Sequence, residues 1–377
     1  MQSAPPRSGP PAMASFDLAD LFSFGSDVHI GIDVGASAVK IVALKGNRGK
    51  SPKVVGVAYE ETPVGAVIDG QLSDTRSMAD IIRGGLERAG IRYKKQNVNI
   101  GLRGLNVVYK RLVLPFQRPE EMAQQVLLEA QQQVDSDLAE WVIDYQVIGT
   151  PDSQGQSAVM LVAAKRAAVE EYDNLVKLVG CEPAVFDCDV FAIENSHEHS
   201  RGNTSETVMC LDIGKDSTKV NILQDGAPVL VRSISLGGQH LTECIQRISA
   251  IDLEQAETMK VSASSSGDLM SGEYAQAVQT HVDEVCEELK RTLEFFANAQ
   301  TDLKIDTIDR VVLSGGGAST APLANGVGKF LRCEVGYADP FSKLAVPGKF
   351  KDLTAQFPHV FSVAVGLALR AVGDKPS

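Results

Sequence analysis

Asp33-Val34-Gly35-Ala36-Ser37-Ala38-Val39-Lys40-Ile41 aligns without a gap on Asp212-Ile213-Gly214-Lys215-Asp216-Ser217-Thr218-Lys219-Val220. Each copy follows an apolar run, His29–Ile32 and Thr207–Leu211, and each leads into a second and then a third strand-like stretch. Asp, Gly and Ser are turn formers, so one copy alone reads as an ordinary hairpin. Two copies in register are an internal repeat and predict two similar lobes facing each other across a cleft. Gly35 and Gly214 are expected to take φ > 0 and to let the backbone come close to a phosphate. Successive N–H groups at Ala36, Ser37, Lys215 and Asp216 suit an anion-binding concavity, with the Ser37 and Ser217 hydroxyls as further donors. Asp33 and Asp212, at the carboxyl ends of strands, are candidate ligands of a hydrated Mg²⁺, an ion that prefers carboxylate oxygen and keeps several waters.

Outward from the first copy, Val54–Glu60 is a third strand, Ser77–Ala89 an amphipathic helix ended by Gly90, and Val98–Leu102 a short strand. Leu105–Pro183 reads as a self-contained block of strand, helix, strand, strand, helix. Its pieces are Val107–Leu114, Pro119–Val134, Trp141–Ile148, Ala158–Ala164 and Ala167–Val179, a helix pair on a small sheet. After the second copy come the strand Val229–Ser235, helices at His240–Ile248, Leu253–Lys260 and Tyr274–Thr301, and a polar stretch Ser262–Ser271 expected to be mobile. Arg310–Leu313 is a buried-type strand running into Ser314-Gly315-Gly316-Gly317-Ala318, where the bare backbone would admit a flat adenine. Helices are expected at Pro322–Leu331 and Phe361–Val372. Gly237 and Gly238 form a further Gly pair between sheet and helix.

The chain of 377 residues carries a net charge of -12, which disfavours nucleic acid as a partner but leaves a nucleotide open. No stretch is long and apolar enough for a direct membrane span. The first residues lack the apolar core of a signal peptide, so a cytoplasmic location is expected. Residues 1–27 read as a flexible leader whose piece Phe16–Phe24 has an apolar helical face. The six cysteines form no C-x-x-C pair, and buried reduced thiols are the expected reading.

Two phosphate loops followed by a Gly-rich adenosine loop resemble the actin, sugar-kinase and heat-shock-chaperone superfamily. Within it the chain is similar to the PilM family of type IV pilus assembly, through Gly31–Lys40, Leu211–Gly214, Leu253–Lys260, Glu288–Phe296, Leu313–Ala318 and Ala364–Arg370. The resemblance implies an α/β, actin-like (ribonuclease H-like) two-lobed ATPase fold with an inserted α+β subdomain. The first lobe would be 28–104 and 184–206, the insert 105–183 and the second lobe 207–377. It implies ATP and Mg²⁺ as ligands, with Asp33, Gly35, Ala36, Ser37 and Lys40 as one phosphate loop. Asp212, Gly214, Lys215, Ser217 and Lys219 would be the other. Gly237 and Gly238 join the nucleotide contacts, Glu257 and Lys260 resemble the pair that meets the ribose, and Gly315, Gly316 and Gly317 would face the adenosine. Asp189 falls where superfamily ATPases place a water-orienting Glu or Gln; shorter than Glu by a methylene, it implies slow hydrolysis if it reaches a water and ATP as a structural or switching ligand if it does not. Asp187 alternatively serves only as a helix N-cap.

The resemblance also implies the cytoplasmic N-terminus of PilN as partner, in a groove between the first lobe and the insert, with other inner-membrane platform and motor proteins beyond it. Recruitment to the inner membrane would then run through partners. An FtsA-like cell-division protein shares the insert but ends in an amphipathic membrane helix, which Arg370–Ser377 does not resemble. A small-molecule kinase of the same superfamily would carry different insertions.

Overall fold

The computed structural model describes residues 28–46, 51–134, 137–202, 204–266, 272–299, 305 and 307–370. The leader 1–27, Thr301 and residues 371–377 lie outside them. From the first repeat copy, β1 (Val28–Val34), β2 (Ala38–Lys45) and β3 (Lys53–Glu61) run as an antiparallel meander that sets Asp33 opposite Lys40. A short hairpin, β4 (Val67–Ile68) and β5 (Gln71–Leu72), and helix α1 (Thr75–Arg88) lead to β6 (Asn97–Leu102), which lies parallel beside β1. The chain then builds β7 (Val107–Pro115), α2 (Pro119–Gln133), β8 (Trp141–Ile148) and β9 (Gln156–Lys165), a separate antiparallel sheet ordered β7-β9-β8. It returns through α3 (Arg166–Val179) to β10 (Glu182–Cys188), parallel to β6, and leaves by α4 (Asp189–Arg201).

The second copy repeats the plan. β11 (Thr207–Ile213), β12 (Thr218–Gln224) and β13 (Ala227–Ile234) form the meander, with Asp212 opposite Lys219. Helices α5 (Gly238–Ser249), α6 (Leu253–Ser266) and α7 (Glu273–Ala299) precede β14 (Arg310–Ser314), which is parallel to β11. Then come α8 (Ala321–Leu331), β15 (Glu334–Tyr337), α9 (Lys351–Gln356) and α10 (Ser362–Leu369). The sheets run β10-β6-β1-β2-β3 and β13-β12-β11-β14-β15, the same order with the same strand directions. A repeat read over nine residues therefore extends over a whole five-stranded sheet.

The central strands read as continuous apolar runs because they are covered on both faces. Ile30, Ile32, Val34, Ile41 and Ile100 pack with Met78, Ile82 and Leu86 of α1. Met209, Leu211, Ile213 and Ile222 pack with α5, α7 and α8 through Leu241, Ile245, Val282 and Leu323. Between the two sheets lie α4 and α10. Ala192 and Ile193 meet Val208, Cys210, Val312, Val363 and Leu367 there in one apolar layer.

Several sequence expectations shift. The insert is not self-contained: α2 covers its sheet through Met122, Val126 and Ala130 on Val159 and Leu161, while Val107 and Ala164 of β7 and β9 join the core of the first sheet. Helix α3 instead puts Tyr172, Leu175, Val176 and Val179 into the core of the first sheet, beside α1. The end of the chain, expected with the second lobe, turns back onto the first sheet, where Phe341, Phe350, Phe361 and Val365 cover Val42, Leu44, Val54 and Val57. The polar stretch from Ser262 continues α6 as far as Ser266, because its small residues carry no helix breaker. The edge strands β10 and β15 were not expected; Pro183 opens a register shift in the first, and the second is four residues long.

Candidate functional site

The two Asp-x-Gly loops close alike: Gly35 N donates to Ala38 O and Gly214 N to Ser217 O, each at 3.0 Å. Neither glycine takes the positive φ expected of it. What they supply is room. A Cβ on Gly35 would lie 2.7 Å from Ala38 O and 3.0 Å from Lys40 Nζ, and one on Gly214 would lie 3.1 Å from Ser217 O. Different neighbours brace the loops. Thr62 donates from Oγ1 to Gly35 O at 2.7 Å and from N to Ser37 O at 3.0 Å. The second loop is held by the start of α5, where Gly238 N donates to Gly214 O at 2.9 Å and Gln239 N to Lys215 O at 2.8 Å.

That start of α5 joins the other second-lobe residues to the loop. Lys260 Nζ donates to Gly238 O at 3.0 Å and Thr242 Oγ1 at 2.7 Å, and pairs with Glu257 at 2.6 Å. Thr242 Oγ1 in turn donates to Glu257, so the i,i+3 pair is fixed against the Gly237–Gly238 turn instead of lying free on the surface. Burial lowers the Lys260 pKa. On the other side Ser314 Oγ donates to Asp212 Oδ1 at 2.9 Å, and Gly315, at φ +80, brings the backbone so close that a Cβ would meet Ile213 O at 2.4 Å. A Cβ on Gly317 would meet Ile213 Cγ2 at 2.4 Å, whereas one on Gly316 would meet nothing. Glu257, Lys260, Gly237 and Gly238 are thus tied to the second loop at Gly214 and Lys215, and Gly315 and Gly317 pack on Ile213 beside it.

The first loop meets a residue that the sequence reading missed. Arg103, directly after β6, bridges two acids: its Nη2 pairs with Asp33 Oδ1 and its Nε lies 2.9 Å from Asp189 Oδ2. Lys40 Nζ takes the second Asp33 oxygen at 3.1 Å. Burial pushes the Asp33 carboxyl up, but Arg103 and Lys40 together outweigh it and hold the group below its usual range. Asp189, the first residue of α4, goes the other way: burial, opposed by Arg103 and reinforced by the charge of Asp33, raises it to about 7. Its Oδ1 is buried with no hydrogen-bond partner. Burial and then the Asp33 charge raise Asp212 as well.

The two copies differ at their lysines. Lys40 pairs with its Asp, whereas Lys219 Nζ donates to Ser217 Oγ at 2.7 Å and Ser233 Oγ at 3.1 Å. Burial lowers the Lys219 pKa, and the charge of Asp189 opposes that shift. The difference bears on a metal ion. Both Asp33 oxygens are held by cations, so Asp33 does not fit as a Mg²⁺ ligand in this arrangement. Asp212, whose one partner among the described residues is Ser314, does. Asp187 is not an N-cap; it accepts from Cys188 N at 2.7 Å and pairs with Arg370 at 3.2 Å. Arg103 carried one signal in sequence: like the loop acids, it stands at the carboxyl end of a buried strand.

Residues 31–372 match the family model described as type IV pilus assembly protein PilM. Among solved structures the chain is similar to that of a PilM-PilN type IV pilus biogenesis complex, at 29% identity and a TM-score of 0.79, covering 91% of this chain and 98% of that one. The fold is shared with the ethanolamine utilization protein EutJ of Carboxydothermus hydrogenoformans, at 16% identity and TM-score 0.53 over 91% and 90% of the two chains. It is shared also with MreB5 of Spiroplasma citri, solved bound to AMPPNP, at 12% identity and TM-score 0.52 over 90% and 95%. These similarities bear out the two-lobed actin-like α/β fold. Among the described residues no helix is long and apolar enough to cross a membrane. Matched over nearly its whole length by the family model, the chain belongs to the family of the type IV pilus assembly protein PilM.

Proposed function

We propose that the chain binds ATP between its lobes and, according to its nucleotide state, holds the cytoplasmic N-terminal segment of PilN between the first sheet and the β7-β9-β8 insert. It would work from the cytoplasm, reaching the inner-membrane platform through that partner, with other platform and motor proteins within reach. The observation that carries the reading is the similarity to the PilM-PilN complex at 29% identity over 91% of the chain.

For the nucleotide, support comes from the cradle. Gly35, Ala36 and Ser37 on one side and Gly214, Lys215 and Ser217 on the other would turn backbone N–H groups to the phosphates, with Lys40 and Lys219 as counter-charges. Gly237 and Gly238 would line the turn beneath them, Glu257 and Lys260 would meet the ribose, and Gly315–Gly317 the adenine. Asp212 would hold a hydrated Mg²⁺, whose charge would offset that of the phosphates; Asp33 would join only once Arg103 or Lys40 moved to a phosphate. Asp189, held through its Oδ2 by Arg103, would be the residue that orients an attacking water. Hydrolysis, where it occurs, would be slow.

The test is a titration with ATP and Mg²⁺ on the native chain and on Asp212→Ala. The substitution is expected to weaken ATP binding by about tenfold or more, one lost charge-assisted contact, with an unchanged circular dichroism spectrum. Equal affinities would remove the nucleotide assignment. Binding of a labelled peptide copying the PilN N-terminus, measured by fluorescence polarisation, tests the platform reading, and absence of binding with and without nucleotide would remove that.

A further inference from the structure

We propose that His240, Cys244 and Glu284 form a binding site for a divalent transition-metal ion, Zn²⁺ by its ligand chemistry, that ties α5 to α7 within the second lobe. His240 and Cys244 are four residues apart on α5, and His281 and Glu284 three apart on α7, so each pair lies on one helix face. The two faces pack together. His240 Nε2 lies 2.8 Å from Glu284 Oε2 and 3.9 Å from Cys244 Sγ. The three ligand atoms all fall within 4.8 Å of one another, the one such His/Cys/acid group found among the described residues. Tetrahedral Zn²⁺ with bonds of about 2.0–2.3 Å sets its ligand atoms about 3.5 Å apart, so small side-chain adjustments complete the triangle.

The surroundings favour a metal ligand at His240. Its other ring nitrogen, Nδ1, lies 3.0 Å from Nδ1 of His281, which is 2% exposed. A metal-bound histidine uses its second nitrogen in this way to fix ring orientation. Arg247 Nη2 donates to Cys244 Sγ at 3.7 Å. A thiolate, an imidazole and one carboxylate suit Zn²⁺ and not Mg²⁺ or Ca²⁺. Cys244 is buried and Glu284 partly exposed, which leaves the fourth position toward solvent. On α5, Gly238 and Thr242 face Lys260, while His240 and Cys244, two residues on from each, face α7. The metal therefore sits on the opposite side of α5 from the proposed nucleotide, and the two can be tested apart.

The experiment titrates the full chain, stripped with EDTA, with Zn²⁺ against a chromophoric chelator, and records the absorption of the Co²⁺ form. One equivalent is expected to bind, with a thiolate-to-cobalt charge-transfer band in the near ultraviolet. Cys244→Ser should abolish the band. Cys244→Ser and Glu284→Gln should each weaken Zn²⁺ binding by about tenfold or more, while Cys333→Ser changes neither quantity. Should the buried Cys244→Ser fail to fold, the partly exposed Glu284→Gln still decides. Binding below one equivalent, or the native affinity retained in Glu284→Gln, overturns the site; in that event His240 and Glu284 are an ion pair and nothing more.

Discussion

Removing Arg103 would strip Asp33 of one of its two cations and Asp189 of the one that pairs with it, leaving only Lys219 to act on Asp189 from further off. Breaking a buried pair from one side costs about 3–5 kcal/mol, because the remaining charge has lost its partner. Arg103→Gln is expected to fall in that range by urea denaturation. Adding Asp189→Asn should recover part of the loss, since the second change removes one of the stranded charges. A loss below about 1 kcal/mol would show that Arg103 is dispensable to the cleft. Asp189 also sets a pH dependence. The folded carboxyl keeps its proton up to about 7 whereas the ordinary value is 3.8. The folded state therefore binds more protons in this window, and the contribution of Asp189 to stability falls as pH rises from about 4 to about 7. Comparing the urea midpoints of the native chain and Asp189→Asn at pH 5 and pH 8 isolates this group, and Asp189→Asn should gain relative to the native chain at the higher pH. Parallel behaviour of the two proteins would contradict the raised value. The loop acids were legible because they recur in register. Arg103 was not, since a single Arg in Gly101-Leu102-Arg103-Gly104 has no period; its meaning depends on β6 lying beside β1.

Helices α4 and α10 meet at a distance only glycine allows. A Cβ on Gly366 would stand 1.7 Å from Ala192 O, and one on Gly31 2.2 Å from Ala364 O, both backbone atoms that cannot swing away. Overpacking of this kind costs about 1–3 kcal/mol where neighbours can shift. Gly366→Ala is therefore expected at or above the upper end, seen as a lowered melting temperature. A melting temperature unchanged from that of the native chain would mean that α4 and α10 separate at no cost. By contrast Gly316→Ala meets open space and should leave the melting temperature nearly unchanged. The sequence carried both glycines, but not which one another helix touches. The same limit explains the misplaced elements. An amphipathic pattern told that α3 has an apolar face, and α10 reads as apolar all round, but neither pattern names the sheet that covers it. Central strands were legible as apolar runs; β10 and β15, at sheet edges and only partly buried, show no such run.

At the scale of the molecule, two equivalent sheets share one layer, α4 and α10, and each contributes one loop to the cleft. A ligand that grips both loops therefore acts on their relative position, while the insert is joined to the first sheet through α3 and to the cleft through the Tyr172 hydroxyl, which donates to Gly70 O at 3.0 Å. If nucleotide changes the affinity for the PilN segment by this route, the coupling is a free energy between two sites and must be reciprocal. A factor of about 5–150, the usual range, is expected in both directions. The measurement is a square of four dissociation constants: peptide with and without saturating ATP, and ATP with and without saturating peptide. The two ratios must agree, and Arg103→Gln, which unties Asp33 and α4 from one another, should shrink both together. Peptide affinity identical in all nucleotide states would leave two independent sites on one fold, and the shared layer would then be a scaffold and not a hinge.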